Sequence, residues 1–356
     1  MVAAQAVHDL GAAVKPSRIW TDIDVRADGK QDGYLNVPYS RNDSAWGSVR
    51  LPITVVKNGT GPTLLFTAGS HGDEYEGPIA LMKLARDLTP ERLQGRVIIL
   101  PAMNMPAVRS GTRLSPLDGL NMNRIFPGRR DGTVTLMIAH YVYTHLMPLA
   151  DVVVDLHSGG KTLDFVPSAV MHHLDDPVRM GRTLAAVQAF GAPLGLILRE
   201  LDNEGMFDTV VEEAGRIFIS SELGGYGTAT TRTVGISDIG VRNLLCHFGL
   251  LDEQPVRPET LGRAPTRLMH TPDADCFVMA EDGGIYEILA DTGTWVEKGD
   301  PIGRVHFYEH PDRPAVPYHA RRSGIIYSRH APGLVQAGDS LAVIATDYTG
   351  PIPATS

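Results

Sequence analysis

Cysteine is scarce in this chain. Cys246 and Cys276 are the only two cysteines among 356 residues, and their separation does not match a metal-site spacing. Small secreted domains with weak cores depend on several disulfides, so this scarcity argues against a disulfide framework. We therefore expect a reducing compartment, and the cytoplasm is the simplest choice.

Long apolar runs and an excess of basic residues are also missing. No run reaches the roughly 18 residues that a membrane-spanning helix needs, and the formal net charge is −9. A general nucleic-acid binder would instead show a basic face. The N-terminal segment carries Gln5, His8 and Asp9 and lacks the basic start and unbroken apolar core of a secretory signal. These absences predict a cytoplasmic protein with no nucleic-acid or membrane partner.

The sequence pattern divides the chain into regions. Residues 1–50 are polar and rich in turn signals, which predicts a flexible start followed by short strands, and Leu51–Val56 is predicted as a first edge strand. Residues 51–260 alternate between strand-length apolar runs and helical patterns, which is typical of a sheet covered by helices on both faces. The predicted strands are Leu64–Ala68, Val97–Pro101, Val152–Leu156, Ala169–His172, Leu196–Arg199 and Arg216–Ser221. The predicted helices are Glu76–Leu88, Thr135–Leu149, Pro177–Phe190, Met206–Ala214 and Val234–Leu250.

Residues 265–347 lose the helical pattern and contain an internal repeat. The run from Gly284 to Val305 resembles the run from Gly324 to Ile344: each has a strand, a glycine turn, the pattern Val-x-x-Gly-Asp and a second strand. Two such units predict a small β-sandwich or barrel. Similar domains carry lipoyl or biotinyl groups, but the lysine that those carriers modify is absent from residues 311–317. We therefore expect a structural domain that shields a site or pairs copies in a homo-oligomer through its edges.

One stretch places two metal-ligating side chains just past a strand. The apolar run Leu64–Ala68 ends in two small residues, and His71 and Glu74 follow at once. Ligands of open α/β sheets bind at the carboxyl ends of strands. Histidine and glutamate supply the nitrogen and oxygen donors that zinc accepts at about 2.0–2.2 Å. Alone, the pair is more typical of an acidic first helical turn than of a metal site, so the metal prediction depends on residues further along the chain.

A second strand end carries another histidine. His157 follows the apolar strand Val152–Leu156. The two-residue period of a strand puts Asp155 on the same face, where its carboxylate could hydrogen-bond the imidazole and set its tautomer. Together with His71 and Glu74, His157 would complete three protein ligands and leave a fourth position open, as in catalytic zinc sites.

A third strand end carries a carboxylate. Glu222 follows the predicted strand Arg216–Ser221 and precedes a leucine and two glycines. A carboxylate beside zinc can take the proton of an attacking water and later pass it to the leaving amine. A solvated glutamate in a turn is the alternative, but several strand ends converging on one crevice favour the catalytic role. The remaining histidines, His172 among them, lack metal-site spacing and are interpreted as surface or hydrogen-bonded residues.

The long connection between residues 101 and 135 has little periodicity. Irregular segments of that length inside a domain are usually functional or disordered. This one contains Arg113 and the adjacent pair Asn123 and Arg124. The planar guanidinium matches a carboxylate, and an amide nitrogen can complete the contact. We predict that Asn123 and Arg124 hold a substrate carboxylate, whereas Arg113 polarises the scissile carbonyl and stabilises the oxyanion.

Together these motifs resemble the succinylglutamate desuccinylase and aspartoacylase family of zinc-dependent amidohydrolases, which is related to the zinc carboxypeptidases. The resemblance spans about residues 50–345 and rests on His-Gly-Asp-Glu (71–74), Asn-Arg (123–124), Asp-Leu-His (155–157) and Glu222. It implies a three-layer α/β/α zinc-carboxypeptidase-like catalytic domain with a mixed sheet, followed by the small all-β domain. It also implies one zinc ion per chain with these residues: ligands His71, Glu74 and His157, general base Glu222, and substrate-binding Arg113, Asn123 and Arg124.

Longer motifs resemble one branch of this family. Residues 71–77, 115–118, 123–128 and 155–160 are similar to the branch that deacetylates N-acetyl-2,4-diaminobutyrate during ectoine breakdown. The acidic segment 199–205 offers candidates for contacting the side-chain ammonium of that substrate, but a solvated loop is the more frequent role of such residues. N-acyl-aspartate, N-succinylglutamate, a carboxypeptidase activity and a non-catalytic carboxylate-binding protein stay open as alternatives. Cobalt or manganese could also occupy such a site in place of zinc.

Overall fold

The computed structural model describes residues 15–199 and 204–351. The α-helices within these residues are α1 Glu76–Asp87, α2 Met105–Ser110, α3 Val134–Tyr141, α4 Pro177–Phe190, α5 Phe207–Glu213 and α6 Thr231–His247. The strands are β1 Gly29–Pro38, β2 Ser48–Asn58, β3 Thr63–Ala68, β4 Gly95–Leu100, β5 Val152–His157, β6 Leu163–Phe165, β7 Ser168–His172, β8 Leu194–Leu198, β9 Ile217–Glu222, β10 Arg267–Thr271, β11 Phe277–Met279, β12 Gly284–Ile288, β13 Trp295–Val296, β14 Pro301–His306, β15 Val316–His319, β16 Gly324–His330, β17 Leu334–Val335 and β18 Ser340–Asp347. None of the described helices has the length and apolar character to cross a membrane.

The central sheet is mixed, with β4, β3, β5 and β9 side by side in its middle. β3 pairs in parallel with β4 and β5, and β5 pairs in parallel with β9. β2 and β1 extend the sheet on one side through antiparallel pairs, and β7, β8 and β10 continue it on the other. Because β3, β5 and β9 run in the same direction, their carboxyl ends lie at one edge of the sheet.

Helices cover both faces of this sheet because its central strands are apolar throughout. All residues of β3 are buried. Leu64 and Phe66 pack on one face in a cluster that includes residues of α1, α4 and α6, whereas Leu65 packs on the other with residues of α3 and α5. Side chains that alternate along a doubly buried strand require a layer on each face. The predicted fold class is confirmed.

The N-terminal part of the described chain belongs to the same sheet. β1 is a ten-residue strand that pairs with β2 along its whole length. The segment Leu51–Val56, predicted as an edge strand, is therefore part of an inner strand, and β1 forms the edge instead. The prediction of the edge was wrong because β1 is largely polar and contains Gly29 and Gly33, which weaken a local strand signal. Pairing with β2 stabilises this strand.

The connection from residue 101 to 135 is more ordered than its sequence indicates. It contains α2 and a 3-10 turn at Met122–Arg124. The next helix, predicted at Thr135–Leu149, is α-helical only as far as Tyr141 and continues as π and 3-10 turns to Leu149. Asp118 accepts hydrogen bonds from the backbone nitrogen and hydroxyl of Thr135 at 3.0 and 2.8 Å. These bonds anchor the connection to the start of α3.

The C-terminal repeats form a β sandwich with exchanged strands. β12 pairs with β14 in one sheet, and β16 pairs with β18 in the other. The short β13 of the first repeat pairs with β16, and β17 of the second pairs with β12. In each repeat the aspartate of Val-x-x-Gly-Asp accepts a hydrogen bond from the backbone nitrogen three residues earlier, namely Asp300 from Glu297 and Asp339 from Gln336. One apolar cluster fills the space between the sheets.

Strand pairing connects this sandwich to the main sheet. β10 pairs in parallel with β8 and antiparallel with β18, and β6 pairs with β16. Hydrogen-bonded strands therefore continue from the α/β layers into the C-terminal region. The division of the chain into residues 1–50, 51–260 and 265–347 stays a prediction.

Candidate active site

The carboxyl ends of β3, β5 and β9 bring four of the sequence-predicted residues to one place. Ala68, the last residue of β3, pairs with Leu156, and His157 pairs with Glu222 in the same parallel register. His71 and Glu74 follow β3 in the turn before α1. This edge of the sheet is the usual position for ligands in an α/β fold. The site thus combines residues that are far apart in sequence.

Two glycines allow the backbone to present His71. Gly69 has a φ of 68°, a left-handed conformation that glycine adopts at little cost. A Cβ atom on Gly72 would lie 2.0 Å from the backbone of Ala107 in α2. Any larger residue at position 72 would therefore push α2 away from the turn that carries His71 and Glu74.

His71, Glu74 and His157 form a buried cluster. Nδ1 of His71 lies 2.7 Å from Oε1 of Glu74, and Nδ1 of His157 lies 2.9 Å from Oε2. The three side chains are 4 %, 2 % and 9 % exposed, and one donor atom of each lies within 4.8 Å of the others. Two imidazole nitrogens and a carboxylate oxygen are a donor set that fits zinc. In the part of the chain that the structure describes, no second cluster of three such side chains meets the same distance limit.

Each imidazole is oriented through its other nitrogen. Nε2 of His157 lies 2.8 Å from Oδ2 of Asp155, and Nε2 of His71 lies 3.1 Å from Oδ1 of Asn121. Asp155 also accepts a hydrogen bond from the hydroxyl of Thr67 at 2.7 Å. Oxygen acceptors at Nε2 favour the tautomer whose Nδ1 lone pair is available to a metal ion. The contacts around both rings therefore support the metal-ligating interpretation.

The charges in this cluster shift the protonation of its members. Burial alone would raise the pKa of Glu74, but positive charge on His71 and His157 lowers it. Burial would likewise lower the pKa of His157, but Asp155 and Glu74 raise it well above its ordinary value. The cluster therefore favours positive charge beside its carboxylates. A metal ion supplies such charge and displaces protons from its ligands when it binds.

Glu222 ends β9 beside this cluster. Burial and the negative charge of Glu74 raise the pKa of Glu222 to about 8. Its Oε2 atom is buried and has no hydrogen-bond partner among the described residues. A buried carboxylate oxygen without a partner is destabilising unless water or a ligand supplies one. Glu222 thus places a buried carboxyl group, which can bind and release a proton, at the edge of the cluster.

The three predicted substrate-binding residues line the same cavity. Nη1 of Arg113 lies 3.6 Å from Oε1 of Glu74. Oδ1 of Asn123 accepts a hydrogen bond from the backbone nitrogen of Phe207 at 2.8 Å, so the amide nitrogen is the atom that can donate to a carboxylate. Arg124 donates to the backbone oxygen of Asn123 at 2.7 Å. The connection between residues 101 and 135 therefore supplies positive and neutral donors to the site.

The cavity is about 380 Å³ in volume and has a largely apolar wall. The C-terminal sandwich contributes part of that wall through Phe277, Met279, Tyr327 and Val343. The hydroxyl of Tyr327 lies 2.8 Å from that of Ser168, and burial raises the pKa of this tyrosine well above its ordinary value. A cavity of this size suits a small ligand, and the sandwich shields it from one side.

Sequence reasoning missed several residues of the cavity region. Asn121 orients His71. Its position two residues before Asn123, in the same motif, could have indicated a role in the site. His172 and Asp208 line the cavity, although no local pattern indicated either. In the predicted acidic segment 199–205, Glu200 and Asp202 lie outside the described residues, and Glu204 does not line the cavity.

Comparisons with known proteins agree with this geometry. The succinylglutamate desuccinylase/aspartoacylase catalytic domain matches residues 60–248. The chain is 47 % identical over 331 residues to the N-alpha-acetyl-L-2,4-diaminobutyric acid deacetylase of Halomonas elongata, which covers 93 % of this chain and 96 % of that protein.

Solved structures of proteins from the same family are also similar to this chain. The product-bound ectoine utilization protein EutE (DoeB) of Ruegeria pomeroyi has a TM-score of 0.89 and 47 % identity, covering 93 % of this chain and all of that one. A succinylglutamate desuccinylase/aspartoacylase of Rhodobacter sphaeroides has a TM-score of 0.89 and 46 % identity with the same coverage. The family match includes the turn at residues 71–74 and the ends of β5 and β9, where the candidate site lies. The chain belongs to the succinylglutamate desuccinylase/aspartoacylase family.

Proposed function

We propose that this protein is a zinc-dependent deacetylase that hydrolyses N-α-acetyl-L-2,4-diaminobutyrate to acetate and L-2,4-diaminobutyrate in ectoine breakdown. The observation that carries the proposal is the 47 % identity to the deacetylase of Halomonas elongata across 93 % of the chain. The likeness to the ectoine utilization protein supports the same place in metabolism. The buried cluster and the size of its cavity support metal-assisted hydrolysis of a small substrate.

His71, Glu74 and His157 would hold the zinc ion. When bound, zinc is a Lewis acid that lowers the pKa of water towards about 7 and polarises a carbonyl group. The two imidazole donors favour zinc over magnesium or calcium, which prefer oxygen ligands. Metal analysis of the purified protein should find one zinc ion per chain. Chelation should abolish hydrolysis, and added zinc should restore it.

The chain's own side chains would move the proton and hold the substrate. Glu222 accepts a proton from the attacking water as the carbon–oxygen bond forms, and returns it to the nitrogen as the carbon–nitrogen bond breaks. Without a metal ion, burial and the charge of Glu74 raise the pKa of Glu222 and favour its protonated form. A cation held by the neighbouring ligands would favour the ionised carboxylate, which is the form that accepts the proton. Arg113 stabilises the oxyanion, and Asn123 and Arg124 bind the α-carboxylate.

Acetate release from a small set of amides tests the proposed substrate. The set contains N-α-acetyl-L-2,4-diaminobutyrate, its Nγ-acetyl isomer, N-acetyl-L-aspartate and N-succinyl-L-glutamate. The zinc-loaded enzyme should show its highest kcat/KM with the α-acetyl compound, because the carboxylate contacts place the α-nitrogen at the reacting centre. A higher kcat/KM with either acidic substrate would overturn the assignment, and turnover of the Nγ isomer alone would overturn the orientation.

The proposal also includes the cellular location, the domain roles and the oligomeric state of the enzyme. Two unpaired cysteines support a cytoplasmic location. We assign residues 51–260 to catalysis and residues 265–347 to a β domain that shields the cavity. Light scattering tests the homo-oligomer that the exposed sandwich edges favour, since a monomer at micromolar concentration would contradict it.

A further inference from the structure

A second polar cluster lies in the active-site cavity, away from the metal ligands. His172 is the last residue of β7, and its Nδ1 lies 2.9 Å from Oε2 of Glu212 in α5. Its Nε2 lies 3.8 Å from Oδ2 of Asp208, in the first turn of the same helix. The cluster holds two carboxyl groups and one imidazole, and the neighbouring Arg179 donates to the backbone oxygen of Glu212 at 2.8 Å.

Asp208 is the member of this cluster whose carboxylate borders the cavity. Asp208 is 8 % exposed. Its Oδ1 accepts hydrogen bonds from the backbone nitrogen and the hydroxyl of Thr209 at 2.6 and 3.2 Å. Among the described residues that line the cavity, Glu74, Asp208 and Glu222 carry the carboxylates. Glu74 belongs to the metal cluster and Glu222 is the proposed base. Asp208 is the acid that hydrolysis does not require.

We propose that Asp208 determines specificity by binding the side-chain ammonium of the substrate. This inference rests on the proposed function, which makes the substrate a short diamino acid with one free amine. Asp208 lines the cavity and belongs to a cluster in which two carboxyl groups outnumber one imidazole. An alkyl ammonium brings both a positive charge and hydrogen-bond donors to this side of the cavity, and Asp208 supplies the complementary charge.

The sheet register places His172, whose Nε2 lies 3.8 Å from Asp208, at the end of β7 far from the proposed base. Ser168 pairs with Glu222, and Val170 pairs with Ser220, so β7 runs away from the base towards His172. The four residue-to-residue steps from Ser168 to His172 span about 13 Å along the strand. An extended substrate places its ammonium about 6 Å from the scissile carbon, judged from standard bond lengths. Contact at both ends therefore requires the side chains of Glu222 and Asp208 to extend towards the substrate.

The proposed carboxylate contact lies next to the proposed ammonium contact. Asn123 accepts the hydrogen bond from the backbone nitrogen of Phe207, the residue immediately before Asp208. Gly205 also approaches this connection closely, and its oxygen accepts from the backbone nitrogen of Phe126 at 2.9 Å. One contact surface therefore carries both the carboxylate-binding amide and the acid.

A charge-neutral replacement at position 208, tested with two matched substrates, separates recognition from structure. The substrates are N-α-acetyl-L-2,4-diaminobutyrate and N-acetyl-L-norvaline, in which a methyl group replaces the ammonium. Asp208→Asn in the zinc-loaded enzyme should lower kcat/KM for the charged substrate about 100-fold, mostly through KM, because one partner of a buried ion pair is removed. Turnover of the neutral substrate should change little.

Two control variants complete the test. Glu213→Gln removes the same charge from an exposed position on α5 and should leave both substrates unchanged. Asp208→Glu retains the charge and should recover most of the preference for the charged substrate. An equal loss for both substrates in Asp208→Asn would show a structural role, and no loss for either would show no role. Either result overturns the proposal.

Failure of the proposed function would give a different result. If the wild-type enzyme hydrolyses neither acetylated substrate, the function is wrong, and the subsite is decided by calorimetry with free L-2,4-diaminobutyrate and L-norvaline. Tighter binding of the diamino acid that disappears in Asp208→Asn would support the ammonium subsite. Equal binding of the two amino acids, or a preference that survives in Asp208→Asn, would overturn it.

Discussion

Replacing Asp155 with asparagine tests whether the orientation of His157 controls metal binding. In the structure, Oδ1 of Asp155 accepts from the hydroxyl of Thr67 at 2.7 Å, and Oδ2 lies 2.8 Å from Nε2 of His157. Asparagine has the same shape but offers one oxygen and one nitrogen. If its nitrogen faces His157, Nε2 becomes an acceptor and the ring proton moves to Nδ1, where it blocks metal binding. If its oxygen faces His157, the tautomer survives but the negative charge is lost.

The expected effect follows from how such contacts act on metal ligands. Loss of an acceptor behind a metal-binding histidine weakens metal affinity about 10–100-fold, which corresponds to about 1.4–2.7 kcal/mol. Complete burial of Asp155 favours the upper end of this range, because no water can replace the lost contact. We therefore expect zinc to bind Asp155→Asn close to 100-fold more weakly than the wild type.

A competition titration with a chromophoric chelator measures this change on the metal-free protein. Asp151→Asn is the matched control: Asp151 precedes the same strand, is exposed, and accepts a hydrogen bond from the backbone nitrogen of Thr63 at 2.8 Å. It loses the same charge at the other end of β5 and should keep wild-type zinc affinity. Thermal unfolding of both variants checks that they are folded. Equal zinc affinity in the two variants would refute the role given to Asp155.

Three further results are expected from the same geometry. Glu222→Gln should lower kcat about 100- to 10,000-fold, the usual contribution of a general base, while zinc content stays at one per chain by metal analysis. In the metal-free protein, the pKa of Glu222 is raised to about 8, so its contribution to folding stability is present below the unfolded pKa and is lost as pH rises towards about 8. Denaturant titrations should therefore show that the wild type loses more stability than Glu222→Gln between pH 5 and pH 8. Parallel plots of stability against pH for the two proteins would contradict the raised pKa. Arg124→Lys should raise KM about 10-fold or more, because lysine cannot make a bidentate carboxylate contact, and an unchanged KM would exclude Arg124 from substrate binding.

Regular elements were predictable where the local sequence carries both the pattern and its ends. The helix predicted at Pro177–Phe190 has the same bounds in the structure. Asp176 caps it by accepting hydrogen bonds from two backbone nitrogens, Pro177 occupies a first-turn position, and Gly191 ends it with a φ of 79°. The apolar runs of β3, β5 and β9 were equally legible, because strands covered on both faces need few polar residues.

Elements stabilised by distant parts of the chain could not be predicted. β1 is largely polar and depends on pairing with β2. The six-residue α2 lies against the turn at Gly72 through Ala107, a contact between distant segments of the chain that no local pattern encodes. The strand exchange in the C-terminal sandwich was hidden for the same reason. Its repeats were visible, but the partner of each short strand depends on tertiary packing.

The residues of the candidate site were likewise predictable only where the local sequence indicated their position. His71, Glu74, His157 and Glu222 were found because each stands at the end of a recognisable strand. Asp208 was not, because its relation to the cavity depends on how α5 packs over the sheet. The acidic residues of the preceding segment gave a stronger sequence signal, but Glu200 and Asp202 lie outside the described residues.

Anomalous diffraction at the zinc absorption edge, on crystals of the purified protein, tests the central claim most directly. We predict one strong peak per chain, bonded to Nδ1 of His71, Nδ1 of His157 and a carboxylate oxygen of Glu74. A peak at another position, such as the cluster of His172, Asp208 and Glu212, would contradict the proposed metal site and the mechanism built on it.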